Sequence, residues 1–293
     1  MVYFAQEIEG YKSPNPWLVE YMSHSVAFQG EKGAYSEEAA HKHFGGQVEA
    51  QPFRTLREVF AQVEAKAADY GIVPAENSIE GIVNQTYDLL LESPLKICGE
   101  VKIRIAHRLL ALPGTGLRDV RVVYSHPQAL AQCSRFLESH NLDSAPSYDT
   151  AGSAKMIREK HLHGAAAIAS ERAAQVYDLV VLREGIEDYP ENFTRFFTIG
   201  PKDAPASGQD KTSVVFGTPH TPGSLHSALG ELAARQVNLM KIESRPIRTT
   251  PWEYHFFVDF AGHRSDPQCV EALGALGRVT TFLKVLGSYP SAA

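Results

Sequence analysis

Apolar and polar positions along the chain switch between a period of two and a period of about 3.6, and the switches mark alternating strands and helices. An apolar run at residues 26–28 opens as a strand and leads into QGEKGAYSEEAAHKHFG, where Gly30 and Gly33 loosen a loop and Ser36 is placed to cap a helix. Glu37 and Glu38 suit the positive end of that helix's dipole. Thr55 and Glu58 form a capping box before a helix whose Leu56, Val59, Phe60 and Val63 share one face. YGIVPAENSIEG predicts a buried strand over residues 70–74. It breaks into a loop carrying Glu76, Asn77 and Ser78, before a helix with Leu89, Leu90 and Leu91. LKICGEVKIRIAH sets Ile97, Gly99, Val101, Ile103 and Ile105 on one face of a half-buried strand. VRVVYSHPQALAQCSRFLESH predicts a strand over residues 120–124, then a helix with Pro127 first and Leu130, Cys133 and Leu137 on one side. AAAIASERAAQVY repeats that plan with Ser170 at the junction, and NFTRFFTIG, residues 192–200, reads as a buried strand closing the unit.

PKDAPASGQD, residues 201–210, is a linker by composition. After it come strand KTSVVFGTP, helix PGSLHSALGELAARQ with Leu225, Leu229 and Leu232 inward, and strand LMKIESRPIR. Strand WEYHFFVDFAGH alternates Tyr254, Phe256, Val258 and Phe260, and helix PQCVEALGALGR and strand FLKVLGSYP complete a ferredoxin-like βαββαβ plan. So small a unit, with an exposed sheet edge, predicts a homo-oligomer. The organisation expected is an extension over 1–25, an α/β unit over 26–200, a linker over 201–210 and a second unit over 211–290.

Composition narrows the function. The chain has 293 residues, 44% of them hydrophobic, enough for two cores. Its 28 Lys and Arg against 34 Asp and Glu form no basic run, which argues against nucleic acid. No apolar stretch reaches the roughly 20 residues of a membrane span, and the first 25 residues lack a signal pattern. Cys98, Cys133 and Cys269 stand far apart without a CxxC pair, so neither a disulfide framework nor a thiolate metal site is expected and a reducing cytoplasm fits. HLH at 161–163 has the wrong spacing for a helix-face zinc pair.

Candidate chemistry collects where strands end. Arg195, amid Phe193, Phe196 and Phe197, offers a planar fork for a carboxylate, or else pairs with a structural acid. Glu76, Asn77 and Ser78 lie where ligands gather in open α/β sheets, although Asn77 or Ser78 could simply cap a helix. Ser125, His126 and Gln128 occupy a third junction, with His126 either a base or a hydrogen-bonded structural residue. The Gly30–Gly33 loop matches no nucleotide motif and is either an anion cradle or a tight turn. ESRP, residues 243–246, faces PGSL across a strand end and could hold a zwitterion or a salt bridge.

Taken in order, FQGEKGAYSEEAA, GIVPAENSIEG, HPQAL, AAIASERAA, NFTRFF, PGSL, NLMKIESRP and PWEYHFFVDF resemble the monofunctional prephenate dehydratases with a C-terminal ACT regulatory domain. The resemblance spans about residues 26–289. It implies a two-lobed catalytic domain like a type II periplasmic binding protein, with the active site between lobes, and no cofactor or metal. It further implies catalytic roles for Thr194, Arg195 and Phe196 of the TRF motif, for Glu76, Asn77 and Ser78 of the ENS motif, and for Gln128 of HPQ. Phenylalanine would bind at an interface between ACT domains of a homodimer or homotetramer, through Gly223, Ser224, Leu225, Asn238, Leu239, Glu243, Ser244, Arg245 and Pro246. The family's GALV motif is replaced here by Gly223, Ser224, Leu225 and His226.

The expected mechanism has Thr194 hydrogen-bond the leaving ring hydroxyl, with a proton relayed from Glu76, while Arg195 anchors the pyruvyl carboxylate and Phe196 helps to exclude water. Arogenate dehydratase, acting on the ammonium analogue, is the nearest alternative. A non-catalytic amino-acid sensor is the alternative of another class.

Overall fold

The computed structural model describes residues 23–46, 48–247 and 253–292, so residues 1–22 of the expected extension lie outside it. The chain enters through β1 (His24–Gln29), α1 (Tyr35–Phe44), β2 (Val48–Phe53), α2 (Leu56–Glu64) and β3 (Tyr70–Asn77). A short β4 (Gly81–Ile82), α3 (Asn84–Glu92) and the long β5 (Lys96–Arg104) follow. It then crosses to a second lobe of β6 (Arg108–Ala111), β7 (Val122–Ser125), α4 (Pro127–Ala131), α5 (Ser134–Ser139) and β8 (Asp143–Pro146). The lobe ends with α6 (Thr150–Glu159), β9 (Ala165–Ala169), α7 (Glu171–Val176) and β10 (Val180–Glu184). β11 (Phe193–Gly200) returns to the first lobe between β3 and β5, antiparallel to both. The first sheet therefore runs β2-β1-β3-β11-β5 with β4 on β3, and the second β10-β6-β9-β7-β8. Two crossings join the lobes, as in a two-lobed binding-protein fold.

Local chemistry explains these elements, with some departures from the sequence pattern. Thr55 and Glu58 make the reciprocal capping box of α2, and Leu56, Val59, Phe60 and Val63 are buried. Ser36 is not the N-cap, because α1 begins two residues earlier than expected, at Tyr35 with Ala34 as its N-cap. The single helix expected after Pro127 is two, broken at Gln132 and Cys133. Gly30 and Gly33 adopt positive φ, and a Cβ on Gly33 would fall 2.7 Å from Ala173 Cα of the other lobe. The loop's N–H groups bond within the protein, Glu31 to Asp149 and Gly33 to Glu37, so the loop is a lobe-packing turn and not an anion cradle. Lys155 pairs with Glu31 and Arg172 with Glu37 across the same seam.

The third sheet comprises β12 (Asp210–Gly217), α8 (Ser224–Ala233), β13 (Leu239–Pro246), β14 (Tyr254–Ala261), α9 (Pro267–Val279) and β15 (Phe282–Pro290). Its order, β13-β14-β12-β15 and antiparallel throughout, is the ferredoxin-like plan. One face carries the two helices around Val214, Phe216, Leu232, Phe260 and Leu276. The other face buries Val215, Phe257, Leu286 and Tyr289 against Tyr87, Leu90, Phe197 and Ile199 of the first lobe. Burial of each such large side chain contributes about 1.5–3 kcal/mol, so the two sheets share a core. Lys284 Nζ also donates to the carbonyls of Leu90, Leu91 and Ser93 at the end of α3, where the helix dipole is negative. Among the described residues no helix is long and apolar enough to cross a membrane.

Contact between the sheets is closest where β15 rides on β5: a Cβ at Gly287 would lie 2.1 Å from the Ile97 carbonyl oxygen. Gly287→Ala is therefore expected to cost about 1–3 kcal/mol or more in thermal unfolding, because rigid backbone must move. Gly274→Ala, in an α9 position where an added Cβ would meet only the flexible Arg278 side chain at 4.0 Å, should be neutral or stabilising by about 0.5–1 kcal/mol. Equal behaviour of the two variants would contradict a shared core.

Candidate active site

Strand pairing sets the site. Register places Thr194 opposite Asn77 and Arg195 opposite Glu76, across the β11–β3 pair. Successive strand residues face opposite sides, so Thr194 and Phe196 look into the cleft between the lobes while Arg195 and Phe197 look toward the third sheet. The cleft has a volume of about 430 Å³. Its floor is Thr194, Phe196, Asn77 and Pro74, and its walls bring Gln29, Tyr35 and Ser36 to face His126, Gln128 and Thr150.

Asn77 organises the floor. Its Oδ1 accepts from the N–H groups of Ile79 and Glu80, both at 3.0 Å, in an Asx turn that fixes the amide's orientation. Its Nδ2 then donates to Thr194 Oγ1 at 3.0 Å and to Asn192 Oδ1 at 2.7 Å. With its oxygen accepting, Thr194 keeps its own proton free for a ligand. His126 Nδ1 accepts from Gln128 N–H, so the histidine caps α4 as the structural alternative held. Asp149 lines the cleft as N-cap of α6; burial pushes its carboxyl up, and backbone donors at Glu31 and Gly152 pull it back.

Arg195 departs from its expected role. It is 11% exposed and points away from the cleft, with Nη1 2.8 Å from Asp259 and 3.3 Å from Glu100, and Nη2 3.1 Å from Glu76. Burial is the largest single influence and opposes its charge, but Asp259, Tyr289 and Tyr87 together outweigh it and hold the guanidinium well above its ordinary value. The correction is geometric: its neighbour on the strand takes the cleft side, so Arg195 cannot anchor a substrate carboxylate there. Glu76 faces the same way and is bound by Arg195 and by Lys241 at 2.7 Å, which removes it as a proton relay to Thr194. Ser78 exchanges hydrogen bonds with Glu191 O and Phe193 N–H and buttresses the start of β11 outside the cleft lining. Of the expected catalytic set, Thr194, Phe196, Asn77 and Gln128 meet in the cleft.

Pattern reading missed Gln29, Tyr35, Glu80, His107, Gln132, Asp149 and Thr150, all of which line the cleft. They lie on six separate segments, and no spacing rule links them; only the strand-to-helix junctions before Ser36 and Gln128 carried a signal.

The expected effector residues divide into two groups. Gly223 is the left-handed N-cap of α8, and Ser224 and Leu225 line a second cavity of about 380 Å³ with His220, Tyr254 and Phe256. Asn238 and Leu239 stand at the start of β13, and Glu243, Ser244, Arg245 and Pro246 at its far end. Arg245 is salt-bridged to Asp88 of α3 at 2.6 Å and donates to Asn84 O, the alternative reading of ESRP. Among the described residues of one chain, Ser224 and Leu225 line one cavity, and Arg245 and Pro246 another.

Residues 26–204 match the family model for prephenate dehydratase, and residues 212–278 that for the ACT domain. A bifunctional chorismate mutase/prephenate dehydratase of Pseudomonas aeruginosa is 43% identical over 269 residues, covering 91% of this chain and 73% of that protein. A chloroplastic arogenate dehydratase/prephenate dehydratase of Arabidopsis thaliana is 44% identical over 276 residues, 90% of this chain and 72% of its own. The solved structure of the prephenate dehydratase of Arthrobacter aurescens in complex with L-Phe is 35% identical with a TM-score of 0.83, covering 92% of this chain and 90% of that one. GqqA, described as a novel type of quorum-quenching acylase, is 34% identical with a TM-score of 0.84 over 92% of this chain and 98% of its own. Two lobes around a threonine-floored cleft, a ferredoxin-like sheet docked behind it, and family matches to both parts lead to one assignment: the chain belongs to the prephenate dehydratase family.

Proposed function

We propose that the chain converts prephenate to phenylpyruvate, carbon dioxide and water, under control of phenylalanine bound through the C-terminal domain. The observation that supports this most is Thr194, whose hydroxyl accepts from Asn77 and so offers its proton to the cleft. In the reaction the C–C bond to the ring carboxylate breaks, its electron pair moves through the ring, and the hydroxyl on the opposite carbon is expelled. That oxygen leaves as water by taking one proton, which solvent supplies, and aromatisation drives the step. Thr194 stabilises the charge growing on the departing oxygen, and Phe196 and Pro74 provide an apolar floor for the ring. Among the described residues no Lys or Arg lines the cleft. That suits decarboxylation, because an ion pair would stabilise the carboxylate that has to be lost.

Glu80 and Asp149 in the cleft wall favour a second reading, arogenate as substrate, since an acid can receive its ammonium. The acylase-named neighbour does not alter the reaction class: Thr194 is held by an amide donor, whereas an acyl-transfer nucleophile needs a base to take its proton. Cys98, Cys133 and Cys269 are buried free thiols, which suits a reducing cytoplasm.

For regulation we read β13 as the edge that meets a second copy. Among the described residues it has no partner strand on its outer side, and Met240 and Ile242 are 48% and 40% exposed. Pairing at that edge would bring the ESRP segment of one chain toward the α8 cavity of another. The signal then reaches the cleft through Arg195, which joins β11 to Asp259 of β14.

Thr194→Ala is expected to lower kcat about 100- to 1,000-fold with KM changed by less than about threefold, while Thr194→Ser retains most activity. A loss under about tenfold would remove Thr194 from the mechanism. Turnover of prephenate and arogenate compared directly, with Glu80→Gln alongside, decides between the substrates: the variant should lose arogenate activity selectively if the second reading holds. Asp259→Asn should leave uninhibited turnover within about threefold and cut the phenylalanine-induced change, expected at about 5- to 150-fold, to less than about fivefold. Full inhibition in that variant would place the route elsewhere.

A further inference from the structure

We infer that His107, Gln132 and Asn192 form a positioning chain that aims the Thr194 proton into the cleft. The inference rests on Thr194 acting as the donor, as proposed above, and concerns Asn192, which opens the NFTRFF stretch, and His107 and Gln132, which no sequence motif marks. Asn192 is fully buried and sits on the second crossing between the lobes, just before β11. His107, 2% exposed, lies on the first crossing, and Gln132, 8% exposed, is the C-cap of α4 in the second lobe.

Hydrogen-bond polarity runs through them in one direction. The backbone donors of Ile79 and Glu80 require an oxygen at Asn77 Oδ1, so its Nδ2 must donate, and Asn192 Oδ1 must accept at 2.7 Å. Asn192 Nδ2 is then the donor to Gln132 Oε1 at 3.0 Å. Gln132 Oε1 has only lone pairs, so its contact with His107 Nε2 at 3.1 Å requires a proton on Nε2. Burial lowers the pKa of His107, countered by the Gln132 contact, which leaves the ring neutral with a bare Nδ1. That nitrogen faces the Tyr35 hydroxyl at 3.2 Å, whose proton is shared with the Ala106 carbonyl at 2.8 Å.

The Asx turn fixes which end of Asn77 faces the cleft, and the bond to Asn192, itself braced by Gln132 and His107, fixes where that amide sits. Asn77 Nδ2 stays directed at Thr194 Oγ1, so the threonine proton has to turn outward. Gln132, the second-lobe member, takes one donor from each crossing, so the chain is complete only with the lobes in this arrangement. None of the three is placed as a catalytic residue: they act on the reaction through Asn77.

The test is a double-mutant cycle on the full-length protein, with unfolding temperatures recorded for every variant. His107→Leu and Gln132→Leu, which remove the donor and the acceptor, should each lower kcat about 10- to 100-fold with KM changed less than about threefold. His107→Gln and Gln132→Glu, which restore a donor and an acceptor at those positions, should recover most of the loss. In a Thr194→Ala background, His107→Leu should have no further effect on kcat. Multiplicative losses in that cycle, or equal losses in His107→Leu and His107→Gln, would overturn the inference and leave His107 a packing residue. Failure of Thr194→Ala itself to lower kcat would instead refute the underlying reading.

Discussion

A guanidinium taken out of water must be neutralised where it sits, and Arg195 meets that requirement with carboxylates from three separate strands. Glu76 comes from β3, Glu100 from β5 and Asp259 from β14. Lys211 binds Glu100 and Lys241 binds Glu76, each at 2.7 Å, so three cations face three anions. Ser213 donates to Asp259 Oδ1 at 2.6 Å and joins the Tyr289 hydroxyl at 2.7 Å, so the second oxygen of Asp259 is also bonded. Such a cluster contributes little net stability, because desolvation offsets most of the attraction. It is nevertheless demanding in geometry, since removing any one member strands a charge in the core. The third sheet is therefore held at a particular angle to β11, in addition to being stuck there by Val215, Phe257 and Leu286.

One strand consequently serves two sites. β11 presents Thr194 and Phe196 to the cleft and Arg195 and Phe197 to the third sheet, and the pleat fixes this alternation. Movement of β14 cannot leave Asp259 behind without a large electrostatic cost, and movement of Arg195 shifts the residue bonded to it on either side. The step along β11 from the side chain that meets the third sheet to the Thr194 hydroxyl in the cleft is thus a single peptide unit. Asn77 and Glu76 show the same division on β3, one turned to Thr194 and the other to Arg195.

That alternation also explains what could be read from the chain beforehand. Elements were legible wherever local chemistry chose them: the Thr55–Glu58 box, Pro127 at the start of α4, and the period-two run in β14 all fold as patterned. Thr194 was legible because the strand has one hydroxyl near the start of an otherwise aromatic run. Arg195 was misplaced because motif reading treated adjacent residues as neighbours in space, although strand geometry sends them to opposite faces. Its true partners are 119, 95 and 64 positions away as counted from the residue numbers of Glu76, Glu100 and Asp259. No local pattern encodes such pairings.

The rest of the polar floor was illegible for a related reason. Asn77 and Asn192 fall in the ENS and NFTRFF stretches, but Gln132 and His107 carry no motif, and each alone looks like an ordinary helix-end or loop residue. Their significance arises from direction: an amide has distinguishable ends, and only the backbone donors of Ile79 and Glu80 decide which end of Asn77 faces the cleft. Because a flipped amide would set two donors or two acceptors against each other, and a buried mismatch costs about 1–3 kcal/mol, the choice propagates undiminished along the chain. Two short crossings and one Asx turn are in this way enough to orient a hydroxyl proton that no base touches.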